Sequence, residues 1–122
     1  MGDYFLKRRK SFVYAWQGII FLFHNEANAK IHLFAAVCVI AAGALFKIEC
    51  WEWCAVIFAI GGVFMAEGFN TAIEKICDKV SPEKNSLIKI AKDVAAGSVL
   101  LFVISAVAVG LIIFLPRIIS LL

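Results

Sequence analysis

Oxygen-bearing side chains recur at helical spacing through the stretch from Met65 to Asp78. On a helix of about 3.6 residues per turn they fall within about 100° of one another, on a single face. The residues of this polar stripe are Glu67, Asn70, Thr71, Glu74 and Asp78. Carboxylate and amide oxygens are ligands that suit Mg²⁺. The polar stripe therefore indicates a site for a metal ion, and the alternative is a solvated helix face just outside a membrane.

The polar stripe continues an apolar run without a break, since Trp53–Ala66 leads directly into Glu67. Hydrophobic residues make up 63% of the chain and charged residues 17%, whereas soluble domains average about 45–50% apolar residues. A chain of 122 residues cannot bury that much apolar surface in its own core. We therefore expect an integral membrane protein, in which carboxylates beside the bilayer normally face a cavity, a partner or an ion.

The elements that would position the polar stripe follow from the apolar runs and their breaks. Leu33–Ile48 is a short apolar run, Ser81-Pro82 interrupts the helix after the stripe, and Val94–Leu115 is a full span that Pro116 should close. Gly61-Gly62 should allow close helix contact. We expect one domain over residues 1–122, an all-α membrane protein with an N-terminal interfacial amphipathic helix at 1–30 and transmembrane helices at about 32–48, 52–80 and 86–116.

The first thirty residues allow two interpretations. The basic cluster Lys7–Lys10, the apolar stretch Phe12–Phe23 and the triplet Ala27-Asn28-Ala29 imitate a signal peptide with its cleavage site. The same basic cluster, together with the aromatic residues Tyr14 and Trp16, suits a helix lying in the membrane interface. Gln17 and Glu26 interrupt the imitation, so we favour the interfacial helix.

Basic residues are distributed unevenly about the expected spans. Ten of the twelve precede the first span or lie between the second and third, and Lys47 and Arg117 remain for the other side. The positive-inside rule then predicts that the N-terminus and the 75–92 segment are cytoplasmic. Nucleic acid is an unexpected partner, because the basic residues follow membrane boundaries. The four cysteines do not form a zinc-binding set, and we interpret them as structural or incidental.

Polar candidates from all three spans should meet at one depth, near the cytoplasmic surface. They are Asn25, Glu26, Asn28 and His32 from the first, Glu67, Asn70, Glu74 and Asp78 from the second, and Lys92 and Asp93 where the third enters the membrane. Carboxylates beside a lysine suggest phosphate chemistry assisted by Mg²⁺. The chain contains no G-x-x-x-x-G-K-[ST] phosphate loop and no soluble-kinase signature. Metal and side chains would therefore have to hold any nucleotide phosphates.

Three motifs resemble the prokaryotic diacylglycerol kinase and undecaprenol kinase family. They are E-x-x-N-T-A-I-E-x-x-x-D at 67–78, A-K-D-x-A-A-G-x-V at 91–99 and N-E at 25–26, and the likeness extends from K-S-F-x-Y-A at 10–15 to I-F-L-P at 113–116. The resemblance implies a small homotrimeric kinase of the bacterial inner membrane, with active sites between protomers at the cytoplasmic surface. It implies transfer of the γ-phosphate of ATP, with Mg²⁺, to a lipid hydroxyl.

The same resemblance implies roles for individual residues. Glu67 would be the general base and, with Ala96, would contact the lipid substrate. Glu26 and Glu74 would ligate the metal, and Asn70 and Lys92 would act beside them in catalysis. The positions that match nucleotide contacts are Lys7, Tyr14, Glu26, Glu74, Asp78, Glu83, Lys84, Asn85, Lys92 and Asp93. Simpler roles stay open, since Lys92 and Asp93 could only anchor a span and Tyr14 could only pack in the interface.

The acceptor and the enzymatic function each have an alternative. The proteobacterial diacylglycerol kinases carry a glutamate six residues after the N-E glutamate, where this chain has His32. This difference, with the I-F-L-P ending, looks more like the undecaprenol kinases. We therefore expect undecaprenol as preferred acceptor, with diacylglycerol as the alternative. The alternative from another class is a membrane subunit that binds ions or assists assembly without catalysis.

Overall fold

The computed structural model describes residues 1–83 and 85–122 and is helical almost throughout. Its helices are α1 (Gly2–Asn25), α2 (Ala27–Phe46), α3 (Cys50–Val80) and α4 (Ser86–Leu121). Three of them, α2, α3 and α4, are long and apolar enough to cross a membrane. The expected all-helical architecture with three candidate spans is confirmed. Lys84, one of the predicted nucleotide contacts, lies outside the described residues.

The helix ends differ from expectation at two places. The first helix ends at Asn25, because Glu26 adopts an extended conformation (φ −100°, ψ 118°), and α2 begins at Ala27. The triplet 27–29 therefore forms the first turn of α2, where Ala29 is completely buried.

At the other end, the prediction that Pro116 closes the last helix is wrong, since α4 continues to Leu121. A proline removes one helical hydrogen bond, but membrane helices tolerate this where other groups satisfy the backbone. The carbonyl that Pro116 leaves without its helical donor is that of Ile112. Beside it, Nη1 of Arg117 donates to the carbonyl of Ile113 at 2.7 Å, which connects the residues after the proline to the turn before it.

The turn between α2 and α3 is tight and well bonded. Lys47 takes the left-handed conformation (φ 52°, ψ 56°), and the amide of Ile48 donates to the carbonyl of Gly43 at 3.2 Å. A capping box then starts α3, in which the amide of Glu49 donates to Oε1 of Glu52 at 2.9 Å. These bonds satisfy backbone groups at the junction of two helices and set α2 antiparallel to α3.

The most extensive helix pair is α3 with α4. Gly62 allows this approach, because the ring of Phe102 occupies the space that a Cβ atom would need, whereas Gly61 has open space around it. Buried Ile48, Val56 and Ile113 form a small core at the α2–α3 turn end of this pair. Close contact at the glycine pair is thus confirmed for one of its two residues.

The first helix joins the bundle only through its last turns. Leu22 is its single buried residue, and the rings of Phe23 and Phe64 meet edge to face with centroids 4.9 Å apart. The ammonium group of Lys75 lies 5.5 Å from the ring centroid of Phe21. These contacts bring the end of α1 beside the part of α3 that carries the polar stripe.

Candidate functional site

A buried carboxylate and a histidine meet between α2 and α3. Glu67 is 3% exposed, and its Oε1 lies 3.1 Å from Nε2 of His32. Small residues on α2 permit this approach, since Ala29 and Ala36 are buried on either side of His32 along the helix. His32 is the one side-chain partner that Glu67 has among the described residues.

One turn further along α3, two polar atoms are buried without a partner. They are Oδ1 of Asn70 and Oγ1 of Thr71, neither of which is hydrogen-bonded within residues 1–83 and 85–122. The amide nitrogen of Asn70 donates to Oε1 of Glu74 at 3.3 Å, and Glu74 is half-buried. Buried polar groups in native proteins are nearly always hydrogen-bonded, so these atoms are suited to meeting a ligand or another chain.

The end of α3 is connected to α4 by a pair of opposite charges. Nζ of Lys92 donates to Oδ1 of Asp78 at 2.6 Å, and neither side chain is buried. One residue along, Asp93 is bonded to Lys89 at 2.6 Å. Exposed ion pairs contribute little to stability, so the ammonium groups of the two lysines are free to exchange these carboxylates for phosphate oxygens. Lys92 thus lies at the same end of the bundle as the polar stripe, as predicted.

The remaining candidate residues lie on separate parts of the chain, and most of them are exposed. Lys7 and Tyr14 lie on the exposed part of α1, Ala96 is exposed on α4, and Glu26 is half-buried at the α1–α2 junction. In the connection between α3 and α4, the carbonyl of Glu83 accepts from Ser81 at 3.0 Å. Asn85 caps α4, because its Oδ1 accepts from the amide of Leu87 at 2.9 Å. The described residues of one chain form no group of three or more metal-ligating side chains.

Comparison with known proteins identifies the family. The model of the family described as prokaryotic diacylglycerol kinase matches residues 13–114. The chain belongs to this family. It is 41% identical over 108 residues to an undecaprenol kinase of Bacillus subtilis, covering 88% of each chain. It is also 41% identical over 113 residues to a diacylglycerol kinase of Synechocystis, covering 92% of this chain and 65% of that relative.

The protein is therefore a lipid kinase, and the alternative of a membrane subunit without catalysis is set aside. Members of this family act on a lipid in a membrane with ATP as phosphoryl donor. The two relatives are named for different acceptors and are equally identical to this chain, so the comparison leaves the acceptor open.

Sequence reasoning missed the contact between His32 and Glu67. It placed His32 at the depth of the polar stripe and used it as a difference from other kinases, but it assigned no partner, because residues 35 positions apart carry no spacing signal of their own. The capping role of Asn85 did have a signal, since Asn85 immediately precedes Ser86, and asparagine is a preferred N-cap residue. That local role explains Asn85 without a nucleotide.

Proposed function

We propose that this kinase transfers the γ-phosphate of ATP to the hydroxyl of a lipid alcohol at the cytoplasmic face of the bacterial inner membrane. The observation that supports this proposal best is the burial of the Glu67 carboxylate at the end of an apolar stretch. Among the described residues, its side chain is hydrogen-bonded only to a histidine. An uncompensated buried carboxylate is costly, and such groups are found where a proton must be accepted.

The reaction needs a proton acceptor and a means of holding phosphates. Glu67 takes the proton of the lipid hydroxyl while that oxygen forms a bond to the γ-phosphorus. The bond from the γ-phosphorus to its bridging oxygen breaks, and ADP leaves with the electron pair. Lys92, which lies at the same end of the bundle, exchanges its partner Asp78 for phosphate oxygens and offsets their charge.

The residues that we assign to Mg²⁺ fit that ion by donor type. Glu74 and Glu26 offer hard oxygen ligands, and Oδ1 of Asn70 beside Glu74 is unpartnered within the described chain. Mg²⁺ commonly uses one or two carboxylates and completes its shell with phosphate oxygens and water, so one chain need not supply a full set. When bound, the ion neutralises charge on the phosphates.

The proposed orientation follows from the distribution of charge along the bundle. Lys75, Lys79, Lys89 and Lys92 lie where α3 ends and α4 begins, whereas Lys47 and Arg117 lie at the opposite end. The positive-inside rule assigns the lysine-rich end to the cytoplasm. At that depth the site can meet ATP from water and a lipid hydroxyl from the bilayer.

We further propose that the functional unit is a homotrimer with each site shared between protomers. Within one described chain the metal-ligating side chains do not converge, and buried atoms of Asn70 and Thr71 lack partners. Packing of further copies beside the polar stripe would supply partners for these atoms and add groups to the site. The number three comes from the family resemblance.

For the acceptor we propose undecaprenol over diacylglycerol. A groove of about 220 Å³ runs between α2, α3 and α4 as far as His32, the partner of Glu67, and the rest of its described lining is apolar. Such a wall tolerates a polyprenol chain, whereas a site built for diacylglycerol would gain from donors to its ester carbonyls. The ratio of kcat/KM for the two lipids in the same micelles tests this. A diacylglycerol value tenfold or more above that of undecaprenol would reverse the choice.

The decisive experiment for the reaction uses purified protein in mixed micelles with labelled ATP, Mg²⁺ and a panel of lipid alcohols. We expect labelled lipid phosphate that depends on protein, Mg²⁺ and the lipid hydroxyl. Absence of labelled lipid with every acceptor would overturn the proposal. Chemical crosslinking in the same micelles reports the oligomer, and an active monomer would refute the shared site.

A further inference from the structure

His32 contacts the one buried carboxylate of the site, yet nothing above gives it a role. Its imidazole is on α2, whereas Glu67 is on α3, and Nε2 lies 3.1 Å from Oε1 of the glutamate. The side chain of Glu67 is 4% exposed and that of His32 is 23% exposed. The pair is therefore a contact between two helices in which the histidine is the more accessible member.

We propose that His32 is a positioning residue for Glu67. The imidazole of His32 holds one oxygen of the Glu67 carboxylate and leaves the other oxygen for the lipid hydroxyl. This inference rests on the proposed role of Glu67 as the proton acceptor. With Glu67 ionised, Nε2 of His32 carries the proton and donates it in a hydrogen bond to Oε1. Oε2 then remains the acceptor for the substrate proton.

The physical need for such a partner follows from the surroundings of Glu67. A glutamate side chain has three rotatable bonds, and among the described residues the carboxylate of Glu67 is hydrogen-bonded only to His32. Without a fixed donor the carboxylate would sample several rotamers, and a displacement of about 1 Å at a reacting group can reduce the rate about 100-fold. A hydrogen bond from a neighbouring helix removes that freedom.

The position of His32 also couples the carboxylate to the packing of α2. Ala29 and Ala36, on the same face of that helix, are buried against the bundle, so the ring is carried on a segment held close to α3. The contact is thus set by backbone packing rather than by a flexible loop. A site on helices positions its groups more accurately than one on loops.

Kinetics of two substitutions test the inference. His32→Leu removes the donor, and His32→Gln places an amide nitrogen near the position of Nε2. We expect His32→Leu to lower kcat by about tenfold to 100-fold with the KM for ATP changed less than twofold, and His32→Gln to recover most of kcat. Phe34→Leu, an exposed position on the same helix, is the control and should match the wild type.

A spectroscopic measurement removes dependence on the folding of His32 variants. The chain contains two histidines, so ¹⁵N labelling of histidine gives signals of His32 and of the exposed His24 as an internal reference. We expect the isosteric Glu67→Gln substitution to shift the His32 ring nitrogens and to leave those of His24 in place.

The outcomes separate this inference from the proposed function. If the wild type phosphorylates lipid but His32→Leu keeps kcat within twofold, or His32→Gln is no better than His32→Leu, the positioning role is wrong and the kinase reaction stands. An unchanged His32 signal in Glu67→Gln would also refute the contact. A wild type that phosphorylates no lipid would overturn the proposed function, whatever the ¹⁵N spectra show.

Discussion

Helix α3 buries two glutamates to nearly the same extent, yet their surroundings are opposite. Glu52 is 4% exposed and Glu67 is 3% exposed, and their separation of 15 positions places them about 22 Å apart along the helix. Both Oε1 and Oε2 of Glu52 bind the guanidinium of Arg117 at 2.7 Å, and the amide of Glu49 donates to Oε1 as well. Oε1 of Glu67 is bonded only to His32 within the described chain.

The difference indicates what each carboxylate is for. A buried charge that a bidentate arginine and a backbone amide neutralise is a structural feature, because removal of either partner leaves the other uncompensated. A buried carboxylate with one histidine, next to atoms of Asn70 and Thr71 that have no partner within residues 1–83 and 85–122, is left available for chemistry. Helix α3 thus carries a closed structural ion pair in its first turn and an open reactive site 15 positions later.

The largest expected effect is the loss of kcat when Glu67, the reactive one of the two glutamates, is substituted. Glu67→Gln keeps the size of the side chain and removes the proton acceptor, so we expect kcat to fall by about 10²- to 10⁴-fold with ATP binding retained. The matched variant Glu52→Gln should leave kcat within about threefold of the wild type and lower the melting temperature. Steady-state kinetics and ATP titration check both, and near-full activity of Glu67→Gln would refute the assignment of the base.

A second change separates metal binding from base chemistry at the same end. Glu74→Gln removes a hard oxygen ligand, and we expect the Mg²⁺ concentration for half-maximal rate to rise about tenfold, with kcat partly recovered in excess Mg²⁺. Titration of the rate with Mg²⁺ at saturating ATP measures this. An unchanged titration curve would exclude Glu74 from the metal site.

The structural role of the Glu52–Arg117 ion pair is tested by removing first one charge and then both. Arg117→Leu leaves Glu52 buried without its cation, so we expect a marked loss of thermal stability. The double variant Glu52→Gln/Arg117→Leu removes the uncompensated charge and should melt at a higher temperature than Arg117→Leu alone. Thermal unfolding in the same detergent compares them. A double variant less stable than Arg117→Leu would contradict the assignment of a closed pair.

Between Glu52 and Glu67, the contact of α3 with α4 can be changed at two adjacent glycines, Gly61 and Gly62. Gly62→Ala would put a methyl group into the ring of Phe102, and overpacking of this kind costs about 1–3 kcal/mol. Gly61→Ala is the control, since it has open space within the chain. Unfolding of both variants measures the difference. A large loss for Gly61→Ala instead would indicate that Gly61 packs against another protomer.

Sequence patterns predicted much of the fold because its main signals are local. Apolar length gave three candidate spans, and Ser81-Pro82 correctly predicted the break before α4. The prediction from Pro116 was wrong, and beside the proline the side chain of Arg117 binds both the carbonyl of Ile113 and the carboxylate of Glu52. No local pattern announces that a residue 65 positions away will help to hold the helix together.

The candidate site was predictable in part for the same reason. The spacing within α3 placed Glu67, Asn70 and Glu74 on one face, and the structure brings the last two within hydrogen-bonding distance. The contact of Glu67 with His32 depends on how α2 packs against α3, which periodicity does not specify. The catalytic, metal and nucleotide roles remain predictions, because they depend on ligands and on further copies of the chain.

The smallest expected effect concerns Thr71, whose buried hydroxyl has no partner in the described chain. Thr71→Val keeps the shape of the side chain and removes that hydroxyl, so stability should be unchanged or slightly higher, because a buried unpaired polar group is a cost of about 1–3 kcal/mol. If the hydroxyl instead bonds a ligand or another protomer, its removal should lower kcat/KM. In that case we expect a loss of about threefold, which corresponds to the free energy of one neutral hydrogen bond. Thr71→Ser retains the hydroxyl and should keep kcat/KM. The melting temperature and kcat/KM of the two variants decide between these outcomes. A Thr71→Val variant that is less stable but has unchanged kinetics would mean that the hydroxyl makes a structural hydrogen bond, as Glu52 does. The open site would then be confined to Glu67, Asn70 and Glu74.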